Sequence, residues 1–416
     1  MSSVFDALKE RGFVSQCSNA EGLRTLLDTR PVTFYIGFDA TAPSLHVGHL
    51  QQLMCMAFLQ RAGHRPIALM GGGTTRIGDP SGKTEMRRIL PVETIAANVD
   101  AIKAQASHFL DFSPGKALLL DNAEWLAPLN YIEFLRDIGK HFSVNRMLSF
   151  ETYKMRLETG LSFIEFNYQI LQSYDYLVLN RRHGCLLQMG GDDQWGNIVA
   201  GMDLIRRIEG VEAFALTSPL VTRSDGKKMG KTEQGALFLD PAMTRPYEFY
   251  QYWVNVPDAD VRQFLMRFTF LEVAEIDELC AAKDQRINDA KRRLALEITT
   301  LVHGKSAARE AAEGSRAAFS AAGEGAAAGP GDLSGVPSVE VARSELVKGV
   351  GVVDLFVRST LCATKSDARR LVRQGGAYVG RKNVTDIETL ITEADAENGV
   401  ILLRAGKKRY FRIIVA

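Results

Sequence analysis

From Pro31 to Val221 the chain alternates short β-rich runs with helical stretches, and that alternation constrains the fold more than any other feature. Val32–Phe38 reads as a buried strand and Arg65–Met70 as a second, closed by Gly71-Gly72-Gly73. Ala117–Leu120 is expected to be a third, Cys185–Met189 a fourth and Phe214–Leu216 a fifth. Helical patterns fill Val47–Ala62, Val92–Leu110, Ile164–Leu179 and Gly196–Ile208. Strands separated by helices of about 10–15 residues predict an α/β fold, a parallel sheet with helices on both faces. Ligands of such sheets bind beyond the carboxyl ends of the strands. Gly37 and Asp39 fall there after the first strand, Asp79 after the second and Gly190–Gln194 after the fourth.

A chain of 416 residues is too long for one core. Pro246–Gly304 is helix-rich, and Ala307–Gly335 is dense in Ala and Gly, as a tether would be. From Arg343 onward 14 Lys and Arg face 8 Asp and Glu, so the end of the chain is locally basic. The expected division is an α/β domain over 1–245, an α-helical domain over 246–320, a linker over 321–346 and a small domain over 347–416. The net charge of +1 gives the whole molecule no pull on nucleic acid, so any RNA must be held by local patches. Five scattered cysteines without a CxxC pair argue against disulfides and zinc and fit a reducing cytoplasm. Met1–Gly12 lacks the apolar run of a signal sequence, and no apolar stretch is long enough to span a membrane.

Two short motifs carry the chemistry. In His46-Val47-Gly48-His49 the absent side chain of Gly48 lets a flat purine approach the helix backbone. His46 and His49 share one face of a helix start, where the helix dipole adds positive charge suited to phosphate oxygens. Thr41, just upstream, can add a hydroxyl. The plain alternative is a helix capped by Ser44 with two surface histidines. The second motif, Lys228-Met229-Gly230-Lys231-Thr232, follows Ser224-Asp225-Gly226 and reads as a lysine-bearing loop for a polyphosphate, or as an ordinary basic turn. Ile77-Gly78-Asp79-Pro80-Ser81-Gly82-Lys83-Thr84 looks like a P-loop, but Ile77 occupies the position where a P-loop needs glycine.

Together these motifs, with Tyr35-Ile36-Gly37-Phe38-Asp39-Ala40-Thr41-Ala42-Pro43-Ser44-Leu45 ahead of the first, resemble the class I aminoacyl-tRNA synthetases and within them the bacterial tyrosyl branch. Gly230, where the wider family commonly has serine, is similar to that branch. The resemblance implies a Rossmann-type catalytic domain with a helical insertion, an α-helical domain and a small α+β S4-like RNA-binding domain. It implies that Thr41, His46, His49, Lys228, Lys231 and Thr232 act in phosphoryl displacement, with Lys83 and Arg87 near pyrophosphate. Asp39, Gly48, Gly191 and Asp193 would serve ATP beside His46, His49 and Lys231. Mg²⁺ is expected on ATP without a dedicated protein cage, and the family is homodimeric, with a contact expected near Tyr131–Met155.

The amino-acid pocket is the most specific part. Tyr168, Gln172 and Asp175 recur at spacings of one helical face, flanked by an apolar stripe of Phe166, Ile170, Tyr174 and Leu177. A merely solvated face would carry Lys and Glu, and this one has neither. By resemblance Asp79, Tyr168 and Gln172 take the ammonium of L-tyrosine, Tyr35 and Asp175 its phenol, and Gln194 its carboxylate, with Gly37 and Gln188 lining the pocket. In the tail, Lys365, Arg369, Arg370 and Arg373 precede Gly375-Gly376 and a strand; this resembles an S4-type module suited to phosphates of tRNA(Tyr). Three alternatives share parts of the pattern: tryptophanyl-tRNA synthetase, a nucleotidyltransferase such as pantothenate synthetase, and an RNA-binding synthetase relative without ATP chemistry.

Overall fold

A computed structural model describes residues 3–416 except 82–88, 223, 225, 227–228, 233–234, 282–285, 322–332, 334 and 407–408, with the backbone alone for 231, 232, 235 and 319–321. The chain forms two compact units, Met1–Thr244 with Val256–Leu294, and Arg245–Asn255 with Ala295–Ala416.

The first unit is built on a six-stranded sheet of β1 (Gln16–Cys17), β2 (Thr33–Phe38), β3 (Arg65–Met70), β4 (Leu118–Asp121), β5 (Cys185–Gly191) and β6 (Phe214–Ser218), in the order β1-β6-β5-β2-β3-β4. Every neighbouring pair is parallel except β1 with β6. The five expected strands are present. β1 was not foreseen, because two residues are too few to show a period. The central strands are buried on both faces, which is why they read as continuous apolar runs.

The intervening helices are α1 (Val47–Arg61), α2 (Val92–Ala106), α3 (Phe163–His183) and α4 (Trp195–Glu209). At the start of α3, Ser162 and Glu165 cap each other's backbone, and at its end Gly184 takes the left-handed conformation at φ 60°. Arg156 grips the Glu165 carboxylate at 2.9 Å with both side chains buried, fixing the angle at which α3 enters. The chain steps from β2 to β3 on one side and returns through α3 to β5 on the other. The sheet therefore reverses its winding between β2 and β5, and a crevice opens at their carboxyl ends.

In the second unit, helices Pro246–Val254 and Lys305–Ala321 pack together, with the buried Phe249 edge-on to the His303 ring at 4.8 Å. Its sheet comprises β7 (Ser338–Val341), β8 (Ala377–Val379), β9 (Lys382–Val384), β10 (Val400–Ala405) and β11 (Arg409–Val415), ordered β9-β8-β10-β11-β7. Only the β11–β7 pair is parallel.

Two boundaries differ from expectation. The linker expected over 321–346 ends earlier: Val336 is buried, β7 belongs to the sheet, and Leu346 of helix Arg343–Lys348 lies in the small domain's core. A β-carbon on Gly335 would collide with the carbonyl of Glu310, so that glycine serves close packing, not looseness. The helical region over 246–320 is divided, with Val256–Leu294 joining the sheet unit. A short strand beside an Ala/Gly run gives no local signal, since its partner lies far along the chain.

Candidate active site

Tyr35 on β2 stands in register with Gln188 on the neighbouring β5. From α3, Tyr168 and Asp175 are buried and Gln172 lies half-buried between them on the same face. Three polar atoms here, Tyr35 Oη, Gln172 Oε1 and Gln188 Oε1, are buried and meet no hydrogen-bond partner. Buried polar atoms are costly unless a partner arrives, so their presence together marks a ligand-binding cradle. Burial pushes the Tyr35 phenol well up from its ordinary range, and the nearby Asp175 charge adds to this. Asp175 receives Trp125 Nε1 at 2.7 Å and Asn122 Nδ2 at 2.9 Å. Burial nevertheless outweighs both donors, and the carboxyl is pushed up to about 8.

Asn122 is the node of this network. Besides Asp175, its Nδ2 donates to Thr74 Oγ1 at 3.0 Å, and its Oδ1 accepts the Gly73 amide at 2.7 Å. Thr74 Oγ1 donates to one Asp39 oxygen at 2.8 Å, and Tyr168 Oη donates to the other at 2.9 Å. Asp39, expected to serve ATP, is thus held by Tyr168, a residue expected to meet the amino acid. The glycine run is required there: a β-carbon on Gly71 would strike the Asp39 carboxylate, and one on Gly72 that of Asp121. Asp79 is buried, accepting the Ser81 amide at 3.0 Å and Gln194 Nε2 at 2.7 Å, while Gln194 Oε1 accepts from Asn197 at 3.2 Å. Gly37 is exposed at the end of β2. Asn122, Trp125 and Thr74 were missed in the sequence. The signal was present, since Asn122 follows the third strand at its carboxyl end, but the apolar run that marks that strand stops at Leu120.

At the other end of the crevice, His46 is the cap of α1, so Ser44 is not; Ser44 Oγ donates instead to the Leu45 carbonyl at 2.7 Å. His46 Nδ1 accepts the Gly48 amide at 3.0 Å, and His49 Nδ1 accepts the His46 amide at 3.2 Å. The rings stack at 4.0 Å between centroids. A ring nitrogen that accepts carries no proton, so each neutral imidazole has its proton on Nε2, as a donor. A β-carbon on Gly48 would stand 2.8 Å from His46 Cε1, so the glycine makes room for the capping ring. Thr41 is exposed in the loop before α1.

The two motifs meet through backbone. Leu237 N donates to the Gly230 carbonyl at 2.7 Å, and its own carbonyl accepts the Val47 amide at 3.0 Å; Leu239 N then donates to Leu45 O at 2.8 Å. Gly230 is left-handed at φ 76°, a conformation that any side chain would strain. Lys231–Thr232 forms a short strand paired with Gly235–Ala236. Lys228, Lys83 and Arg87 lie outside the described residues. At Gly191 a β-carbon would be 2.6 Å from Asp193 Oδ1, so the backbone passes that carboxylate closely.

In the tail, helix α5 (Lys365–Arg373) is capped by Thr364 and buries Ala368 and Val372. Lys365, Arg369, Arg370 and Arg373 are all exposed. Lys365 pairs with Asp354 at 2.6 Å and Arg370 with Asp367 at 2.8 Å.

Comparison with known proteins agrees with this geometry. The family model for class I tRNA synthetases (W and Y) matches residues 27–320, and that for the tyrosine–tRNA ligase SYY-like C-terminal domain matches 331–413. A tyrosine–tRNA ligase from Borrelia hermsii is 54% identical over 415 residues, covering 100% of both chains. The chain belongs to the tyrosine–tRNA ligase family. Another member of that family, from Clostridium tetani, is 52% identical over 413 residues and 99% of each chain. A C-terminally truncated mitochondrial tyrosyl-tRNA synthetase from Coccidioides posadasii, solved as a crystal structure, is 32% identical with a TM-score of 0.65, covering 75% of this chain and 91% of that one. The Rossmann-type α/β reading and the ligase class therefore stand, and the tryptophanyl and pantothenate synthetase alternatives are set aside.

Proposed function

We propose that the chain activates L-tyrosine with ATP, giving tyrosyl adenylate and pyrophosphate, and then esterifies the 3′-terminal ribose of tRNA(Tyr). The observation that carries this reading is the cradle of unpartnered buried atoms, Tyr35 Oη, Gln172 Oε1 and Gln188 Oε1, beside Asp175 and Asp79. A phenol hydroxyl donates to Asp175 and accepts from Tyr35, and an ammonium donates to Asp79, Tyr168 and Gln172. The tyrosine carboxylate, steered by Gln194, attacks the α-phosphorus while the bond to pyrophosphate breaks. The Nε2–H donors of His46 and His49 and the lysines of the 228–232 loop stabilise charge on the transferring phosphate. The ribose hydroxyl of tRNA then attacks the acyl carbon and AMP leaves.

Mg²⁺, as the partner of ATP, would be held by phosphate oxygens, since among the described residues no cluster of three or more His, Cys, Asp or Glu side chains could hold a metal ion. Tyr131, Ile132, Val144, Leu157 and Phe163 are exposed apolar side chains around the helical insertion, which supports a homodimer contact there. None of the described helices is long and apolar enough to cross a membrane, which is compatible with a cytoplasmic enzyme.

ATP–pyrophosphate exchange run with each of the twenty amino acids tests the reading: tyrosine alone should support rapid exchange, and preference for another amino acid would overturn it. For the tail, reversing Arg369, Arg370 and Arg373 to Glu should weaken tRNA binding and flatten its salt dependence by roughly one unit of log–log slope for each phosphate no longer held. Exchange should be unaffected, because it needs no RNA. Unaltered tRNA charging in that variant would make the basic helix a solvated surface.

A further inference from the structure

Asp260 stands outside both motifs, yet it is 1% exposed, and its carboxylate is spent on the segment that leads into the lysine loop. Its Oδ1 accepts the Ser224 amide at 2.9 Å and Gln263 Nε2 at 2.8 Å; its Oδ2 accepts the same amide at 3.1 Å and Ser224 Oγ at 3.1 Å. Ser224 stands four residues before Lys228. Met229 N closes back on Val221 O at 2.9 Å, and Gly230 O is held by Leu237 N at 2.7 Å. Val221 and Met229 are thus joined by backbone, and Ser224 between them in sequence is held by one buried carboxylate. A carboxylate taken out of water needs several donors to remain there, and Asp260 draws most of its hydrogen bonds from a single loop residue. Asp260 therefore fixes where the loop begins relative to Asp258–Phe268, the helical segment that carries it.

We propose that Asp260 is a positioning residue for adenylate formation, clamping Ser224 so that the lysines of the 228–232 loop reach the phosphates in the transition state. It touches no substrate; it acts through the loop. A loop displaced by about 1 Å can lower a rate by as much as roughly 10²-fold without disturbing the binding of a substrate elsewhere in the site. Asp260→Asn keeps the size but turns one acceptor into a donor, which then faces Ser224 or Gln263. Ser224→Ala keeps the amide hydrogen bonds and loses only the hydroxyl.

The inference rests on the lysine-loop reading above, so Lys231→Ala is measured in parallel. Single-turnover adenylate formation, normalised to titrated active sites, should fall by about 10- to 100-fold in Asp260→Asn and only about two- to threefold in Ser224→Ala. The dissociation constant for tyrosine should not move in either. A purely structural role would reduce the number of active sites and leave the rate constant of the remainder intact, and that result would overturn the proposal. Equal loss of tyrosine affinity would overturn it too. Should Asp260→Asn yield too few sites to measure, Ser224→Ala and Gln263→Ala decide the matter, and normal rates in both would sink the clamp. If Lys231→Ala is slow while Asp260→Asn is not, the clamp alone fails; if Lys231→Ala is itself fast, the loop reading fails.

Discussion

At the proposed amino-acid end of the crevice the polar groups are carboxyls sunk among neutral donors, Asp175 between Trp125 and Asn122, and Asp79 between Ser81 and Gln194. At the proposed phosphate end they are two stacked imidazoles at a helix start and the lysines of a loop. The first end is complete before any ligand arrives, down to three buried atoms that await partners. In the proposed reaction the second presents donors whose full partner, a phosphate gathering charge, exists only in the transition state. A site so divided is proposed to select at one end and accelerate at the other.

The largest expected effect lies at the accelerating end. His46→Ala removes an Nε2–H donor and should slow adenylate formation by roughly 10²- to 10³-fold, read in single-turnover experiments. Because His46 also caps α1, the same change should cost about 1 kcal/mol of stability, measurable by denaturant unfolding. A loss of stability with an unchanged rate would break the comparison, reducing the motif to a helix cap.

Next comes the selecting end. Tyr35→Phe removes one partner of the bound phenol and should erode the preference for tyrosine over phenylalanine by about tenfold, the scale of one buried hydrogen bond, in competing exchange assays. An unaltered ratio would take Tyr35 out of the pocket's specificity. Asn122→Ala sharpens the same point. It strips a donor from Asp175 and orphans the Gly73 amide, so it should lower stability by about 1–3 kcal/mol and weaken tyrosine binding together.

The α/β sheet and the pocket helix were legible in the sequence, because both are written in local periods. β2 to β6 announce themselves as apolar runs, and Tyr168, Gln172 and Asp175 repeat at helical spacing. What the sequence hid depends on distant partners. Asn122 gains its role only where β4 ends beside β3 and α3, and β7 becomes a strand only against β11. The histidines were recognised, but their mutual capping was not, since it depends on ring nitrogens and backbone amides that no spacing rule encodes. Asp260 carried no signal at all, being one acidic residue in a charged helical stretch.

A smaller effect follows from the charge buried at the selecting end. In the folded chain the Asp175 carboxyl titrates at about 8, above its ordinary value, so the folded state holds this proton more tightly than the unfolded one. Its contribution to stability is greatest at low pH and is lost as pH rises from the ordinary carboxylate range through about 8. Without ligand, the melting temperature of the native protein should therefore fall relative to Asp175→Asn from about pH 5 to about pH 8 and level off above that. Parallel curves would mean that the carboxyl is already ionised across that range.

The division between selecting and accelerating ends is tested most directly by two constants measured on the same pair of variants, Asp175→Ala and His46→Ala: the tyrosine dissociation constant and the single-turnover rate of adenylate formation at saturating ATP and tyrosine. Asp175→Ala should weaken tyrosine binding by about tenfold or more, the scale of leaving a buried phenol hydroxyl without its hydrogen-bond partner. His46→Ala should leave that constant within about twofold while the rate falls by roughly 10²-fold or more. If His46→Ala weakened tyrosine binding as much as it slowed the reaction, the two ends would not be separable and the account would be wrong.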